Sequence, residues 1–177
     1  MKLDEQPAES PTIRTSIGFG FLEADVDELD KAILRELQSD VRKTNRDVAA
    51  AVGVSPTTAL DRTRALRQRG IIQGATLDVN LPAIGRSVQA LVAVRVRPPS
   101  RRVIEGFRNW VTTLPDILGL YVTTGTEDFI LHVAVPDNAS LYAFVIDKLT
   151  ARPEVADVRT SIVYEHLRNT RITPVER

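Results

Sequence analysis

The 177-residue chain contains no cysteine, which excludes disulfide bridges, a thiolate nucleophile and a cysteine-based zinc site. It has no excess of either charge. With 23 basic and 23 acidic residues the formal net charge is +0, so the whole chain gives no electrostatic sign of a nucleic-acid partner. Nowhere do 18 apolar residues follow one another and no apolar stretch follows Lys2, so no membrane span or secretory leader is expected and the protein is assigned to the cytoplasm. Only two histidines occur, His132 and His166. Isolated in sequence, they read as packing or surface residues rather than a metal pair, and neither a metal nor a cofactor is assigned. What remains is ordinary for a globular protein: 43% hydrophobic and 26% charged residues, over a length that suits one large or two small domains.

The neutral total hides a segregation. Between Val41 and Gly74 the seven basic residues Arg42, Lys43, Arg46, Arg62, Arg64, Arg67 and Arg69 face only Asp47 and Asp61, whereas Asp25 to Asp40 holds six acidic residues against Lys31 and Arg35. The basic stretch has the punctuation of a helix-turn-helix. Thr44 caps a helix through Val52, and Gly53 supplies the left-handed residue that ends it. Val54 plugs the turn. Ser55 and Pro56 restart a helix, because the hydroxyl accepts from an orphan amide and proline at the first helical position loses no hydrogen bond. This second helix continues through Arg69 and stops at Gly70, with Leu60, Thr63 and Leu66 inward. Its exposed polar residues Ser55, Thr57, Thr58, Asp61, Arg62, Arg64 and Gln68 are of the types that read base edges and phosphates, with Arg42 and Arg46 as flanking phosphate contacts. Arg62 and Thr58, near the helix start, are the expected base contacts. The partner implied is double-stranded DNA.

Residues 1–24 mix Pro7, Pro11, Gly18 and Gly20 with polar residues and read as a tail, although the alternation of Ile17, Phe19, Phe21 and Leu22 leaves open a strand added to a partner. Asp25 and Glu28 form a capping-box pattern for a first helix with Val26, Leu29, Ile33, Leu34 and Leu37 on its apolar face. The helix-turn-helix domain then spans 25–74, and residues 75–87, with Pro82 and Gly85, form a connector. Beyond it the pattern alternates strand, helix, strand, strand, helix, strand. The strands are Val88–Arg97, Ile117–Thr124, Phe129–Val135 and Val155–His166; the helices are capped by Ser100 and opened at Asn138, and Gly125 to Asp128 make a tight hairpin. That order is a ferredoxin-like βαββαβ domain at 88–168, followed by a C-terminal tail at 169–177. The fold class expected is α+β, a winged-helix-like helix-turn-helix domain followed by a ferredoxin-like domain.

Several of these segments, in this order and spacing, resemble the Lrp/AsnC family of feast/famine transcription regulators over roughly residues 25–170. They are Leu29-Asp30 with Ile33-Leu34, Val52-Gly53-Val54-Ser55-Pro56-Thr57, Leu66 with Gly70-Ile71-Ile72-Gln73-Gly74, and Val122 to Phe129. The resemblance implies a sequence-specific, non-enzymatic DNA-binding regulator whose second domain pairs sheets back to back in dimers, assembles dimers into octamers or other forms, and senses a free amino acid or related small molecule. It also implies an effector pocket between dimers, mapping onto Val122, Thr124, Gly125 and Asp128 of the hairpin and Ser161, Ile162 and Val163 of the last strand. Asp128 is there the expected acceptor for an ammonium group, while Glu127 and Ser161 depart from the aromatics of the pattern. Two alternatives share the architecture: an enzyme like the siroheme decarboxylases, and a DNA-architectural protein without an effector.

Overall fold

The structure is a computed structural model that describes residues 26–175; Asp25 and the alternating residues Ile17 to Leu22 lie outside them. The described chain divides into two compact units, residues 79–166 and residues 26–78 together with 167–175.

In the first of these to be built along the chain, three helices enclose a small core: α1 (Glu28–Ser39), α2 (Asn45–Val52) and α3 (Pro56–Gln68). The cap of α1 is Asp27, whose Oδ1 accepts from the Asp30 N–H at 2.8 Å, and not Asp25. Both aspartates have an acidic residue three positions on, so the spacing alone does not choose between them; Asp27 also reaches Arg62 on α3, a contact that sequence spacing does not reveal. Thr44 and Asp47 form a reciprocal capping box on α2, and Gly53 ends it at φ 74°. Ser55 caps α3, with Pro56 in its first turn. Ile33, Val48, Ala49, Ala59 and Leu66 are buried together, with Leu29, Leu34, Leu37, Val54, Ile71 and Ile72 packed around them. Ala59, rather than Leu60, is the fully buried residue at the start of α3. Gly70 follows at φ 72°, and the Ile71 and Ile72 amides return to the Leu66 carbonyl at 3.0 and 3.1 Å, folding the chain back over the core.

The C-terminal tail was expected at 169–177, and its described part, with residues 167 and 168, belongs to this unit. Gln38 on α1 holds Ile172 at both backbone groups: its Nε2 donates to the Ile172 carbonyl at 3.0 Å and its Oε1 accepts from the Ile172 N–H at 2.6 Å. One side-chain amide thus satisfies the two polar groups that a neighbouring strand would otherwise take.

The other unit is a four-stranded antiparallel sheet in the order β2-β3-β1-β4, built from β1 (Val88–Val96), β2 (Ile117–Val122), β3 (Phe129–Val135) and β4 (Val155–Ile162). A helix α4 (Arg101–Val111) and a helix α5 (Asn138–Ala143), continued as a wider π-helical stretch over Phe144–Thr150, pack on one face. Inward residues alternate along β1 as Ala90, Val92, Val94 and Val96 and meet Phe107, Val111, Phe144 and Leu149. β4 stops at Ile162, short of the expected His166. The last ladder bond runs from the Val163 N–H to Gln89, one residue after β1 begins, so no partner strand remains for 164–166. Residues 73–80 form no strand.

Candidate DNA-binding face and effector hairpin

The solvent side of α3 carries Thr57, Asp61, Arg64 and Gln68, all exposed, at the i, i+4, i+7 and i+11 positions that align on one stripe. Arg67 adds a further exposed cation beside it, a residue the sequence reading left out although its polarity and spacing were there to be read. Arg46 is exposed on α2. Ser55 and Thr58 are spoken for by the cap: Ser55 Oγ accepts from the Thr58 N–H at 3.1 Å and lies 2.8 Å from Thr58 Oγ1. Arg42 stays at the surface with its guanidinium on Asp40 at 3.1 Å, an ion pair that holds the Asp40 carboxyl below its usual range.

Arg62 is engaged within the chain. It was expected at a base edge; instead its guanidinium turns back onto α1, 2.5 Å from Asp27 Oδ2 and 3.4 Å from Asp30 Oδ1, while Arg69 meets Asp30 Oδ2 at 3.1 Å. The reason is burial. Asp30 is only 1% exposed, and a carboxylate taken out of water demands cations and hydrogen bonds in the protein. The Asp27 carboxyl is lowered below its ordinary value, first by the Asp30 amide it caps and then by Arg62. Arg62 therefore ties α3 to α1 through Asp27 and Asp30.

The second candidate site is the β2–β3 hairpin. Gly125 sits at φ 127°, where only glycine rests without strain, and Val122, Thr124 and Gly125 are exposed. Asp128, expected to be free for a ligand, already accepts the Val96 N–H on Oδ2 at 2.8 Å and has Arg97 at 3.8 Å. The turn is closed further by Thr123, whose hydroxyl donates to the Glu127 carbonyl at 2.7 Å. Glu127 itself pairs with Arg159 of β4 at 3.1 Å, and Arg159 also lies 3.4 Å from Asp157. Arg159 was missed in the sequence, although period-2 alternation places Asp157, Arg159 and Ser161 on one face of β4.

Ser161, Ile162 and Val163 do not join the hairpin within one chain. Val122 pairs with Phe129, Phe129 with Val94 and Val94 with Val158, which puts β2 and β4 at opposite edges; Ile162 lies four residues further along. Strand spacing and rise make that about 14 Å across the sheet and about 13 Å along it. The outer sheet face, away from the helices, bears Leu91, Ile130 and Tyr121, the last 61% exposed. On the same face His132 and His166 meet edge to face at 5.6 Å, and His132 Nε2 lies 3.0 Å from Gln89 Oε1. The two histidines read as isolated are thus neighbours. Among the described residues no three potential ligands gather in a metal-binding group, and no helix is long and apolar enough to cross a membrane.

A capped three-helix domain with an exposed polar recognition face, joined to a ferredoxin-like sheet, defines a two-domain transcriptional regulator. Residues 26–67 match the AsnC-type helix-turn-helix domain and residues 89–173 the Lrp/AsnC ligand binding domain. The chain belongs to the Lrp/AsnC family. It is 38% identical over 144 residues to the HTH-type transcriptional regulator AldR of Mycolicibacterium smegmatis, covering 81% of this chain and 84% of that protein. It is 33% identical over 144 residues to the leucine-responsive regulatory protein of Escherichia coli, covering 81% and 88%. Among solved structures, a Neisseria meningitidis transcriptional regulator in complex with L-Met superposes with a TM-score of 0.76 at 28% identity, over 84% of this chain and 96% of that one. These relatives are named regulators, which sets the enzyme alternative aside.

Proposed function

We propose that the protein is a homo-oligomeric, sequence-specific DNA-binding regulator that responds to a free amino acid. The observation that carries the DNA reading is the unpaired stripe Thr57, Asp61, Arg64 and Gln68 on α3, flanked by Arg46 and Arg67. Two copies would pair through the outer face of the sheet, burying Leu91, Ile130 and Tyr121, and so present two recognition helices to a pseudo-palindromic site. The effector pocket would be completed by another copy, since the hairpin and the end of β4 stand at opposite edges of one sheet. Asp128 keeps Oδ2 on the Val96 amide and offers Oδ1 to the ammonium group. Sensing of an amino acid is supported by the L-Met bound to the Neisseria relative.

The test has two arms. Selection from a random DNA pool should return a two-fold symmetric site; a pool that enriches no sequence removes the specific-binding reading. Sedimentation of the protein across the twenty amino acids should show at least one that shifts the oligomer distribution, and by linkage that amino acid binds the favoured assembly more tightly by the same factor. Asp128→Asn should abolish that shift. A flat response in the unaltered protein leaves the second domain as an assembly module alone.

A further inference from the structure

The DNA-facing stripe contains one residue of the wrong charge for phosphate. Asp61 is the sixth residue of α3, exposed, between Thr57 and Arg64 on the same stripe, and its carboxylate makes no hydrogen bond or ion pair among the described residues. Arg64, three positions on and likewise exposed, does not neutralise it. The other acidic residues between Asp27 and Asp61 are all engaged: Asp27 and Asp30 hold Arg62 and Arg69, Glu28 pairs with Lys31, Glu36 with Lys43, Asp40 holds Arg42, and Asp47 closes a capping box. Asp61 has no structural partner among the described residues.

Within a Debye length of the phosphates an unpaired carboxylate weakens binding to every sequence unless the DNA supplies a donor. On the floor of the major groove the strong donors are the amino groups of cytosine and adenine. Adenine N6 lies beside the acceptor N7, which repels the second carboxylate oxygen; cytosine N4 has no such neighbour on its own edge. Asp61 also lies in the N-terminal half of α3, the part that recognition helices direct at base edges.

We propose that Asp61 is a specificity-determining residue that accepts a hydrogen bond from cytosine N4, so that each half-site carries a C·G pair opposite it. This rests on the sequence-specific DNA reading above. The residue contributes discrimination rather than affinity: away from its cytosine it repels.

The experiment is random-pool DNA selection with the full chain, run in parallel on the unaltered protein, Asp61→Asn and Asp61→Ala, followed by titration of matched duplexes differing at one pair. The unaltered protein should select one C·G pair per half-site and prefer it about 10-fold over A·T there. Asp61→Asn should move that single position to A·T, because the amide donates to N7 and accepts from N6. Asp61→Ala should lose the preference at that position alone and bind unrelated DNA more tightly. If the unaltered protein selects a site but all three proteins return the same consensus, Asp61 does not read it and the proposal falls. If the unaltered protein selects no sequence, the specific-binding reading itself fails, and the assignment of Asp61 with it.

Discussion

The two candidate sites differ in how much of their chemistry one chain completes. On α3, Thr57, Asp61, Arg64 and Gln68 point outward with the polar stripe unengaged, and the charges that could have competed for it, Arg62 and Arg69, are drawn beneath it by Asp27 and Asp30. At the hairpin the polar groups are already answered: Asp128 by Val96, Thr123 by Glu127, Glu127 by Arg159. The first is an exposed surface whose polar side chains are unengaged among the described residues. The second is a closed turn beside the β2 edge of the sheet, with Ser161 and Ile162 on β4 at the other edge.

The largest effect that would sharpen this contrast comes from the support beneath the recognition face. Arg62→Ala with Arg69→Ala leaves the buried Asp30 carboxylate without a cation, and the helical domain should lose about 3 kcal/mol or more of stability, read by urea unfolding. If the loss were only a few tenths, the ion-pair network would not be what holds α3 against α1. Arg64→Ala should leave unfolding unchanged and weaken the selected DNA by about 1 to 3 kcal/mol, measured by titration at fixed salt. Arg62→Ala alone should do the reverse, lowering the melting temperature while the selected consensus stays the same. A consensus relaxed by Arg62→Ala would restore that residue to the groove.

At the hairpin the changes should be smaller. Asp128→Ala removes the acceptor of the Val96 N–H and should cost the sheet domain about 1 kcal/mol in the absence of any ligand, whereas Asp128→Asn keeps an acceptor oxygen and should cost less. Calorimetry of both variants separates the turn's structural need from its response to an amino acid. Smallest is a pH dependence. Burial, and then the neighbouring His166, hold His132 below the usual histidine value. The unfolded chain therefore binds the proton first as pH falls, so this contribution to stability is complete above about pH 6.5 and is lost as pH drops toward the folded value. Melting curves between pH 5.5 and 7.5 should show the sheet domain of His132→Gln varying less with pH than the unaltered protein.

How much of this was legible in the residues depends on whether the signal was local. Thr44, Gly53, Ser55 and Pro56 act on their own turns, so caps and turn emerged where they were expected. The β strands were readable because alternation is a property of a few consecutive residues, as in Ala90, Val92, Val94 and Val96. What the residues did not show was settled across space. That Arg62 belongs to Asp27 and Asp30 depends on a crossing of helices 32 to 35 residues apart in sequence, and the polar type of Arg62 suits a base edge equally well. The end of β4 is decided by where β1 begins, and the docking of Ile172 by Gln38, 134 residues away. Neither leaves a mark in its own segment.

The buried Asp30 also sets the terms on which this recognition surface can be exchanged by design. Transplanting the whole of α3 from a relative would carry in or leave behind the arginines that Asp30 requires, and a mismatched graft would fail by misfolding before its sequence preference could be read. The transferable unit is smaller than a helix. Thr57, Asp61, Arg64 and Gln68 have no side-chain partners among the described residues, so those four positions can be varied as a library while Arg62, Arg69, Asp27 and Asp30 are kept as the fixed chassis.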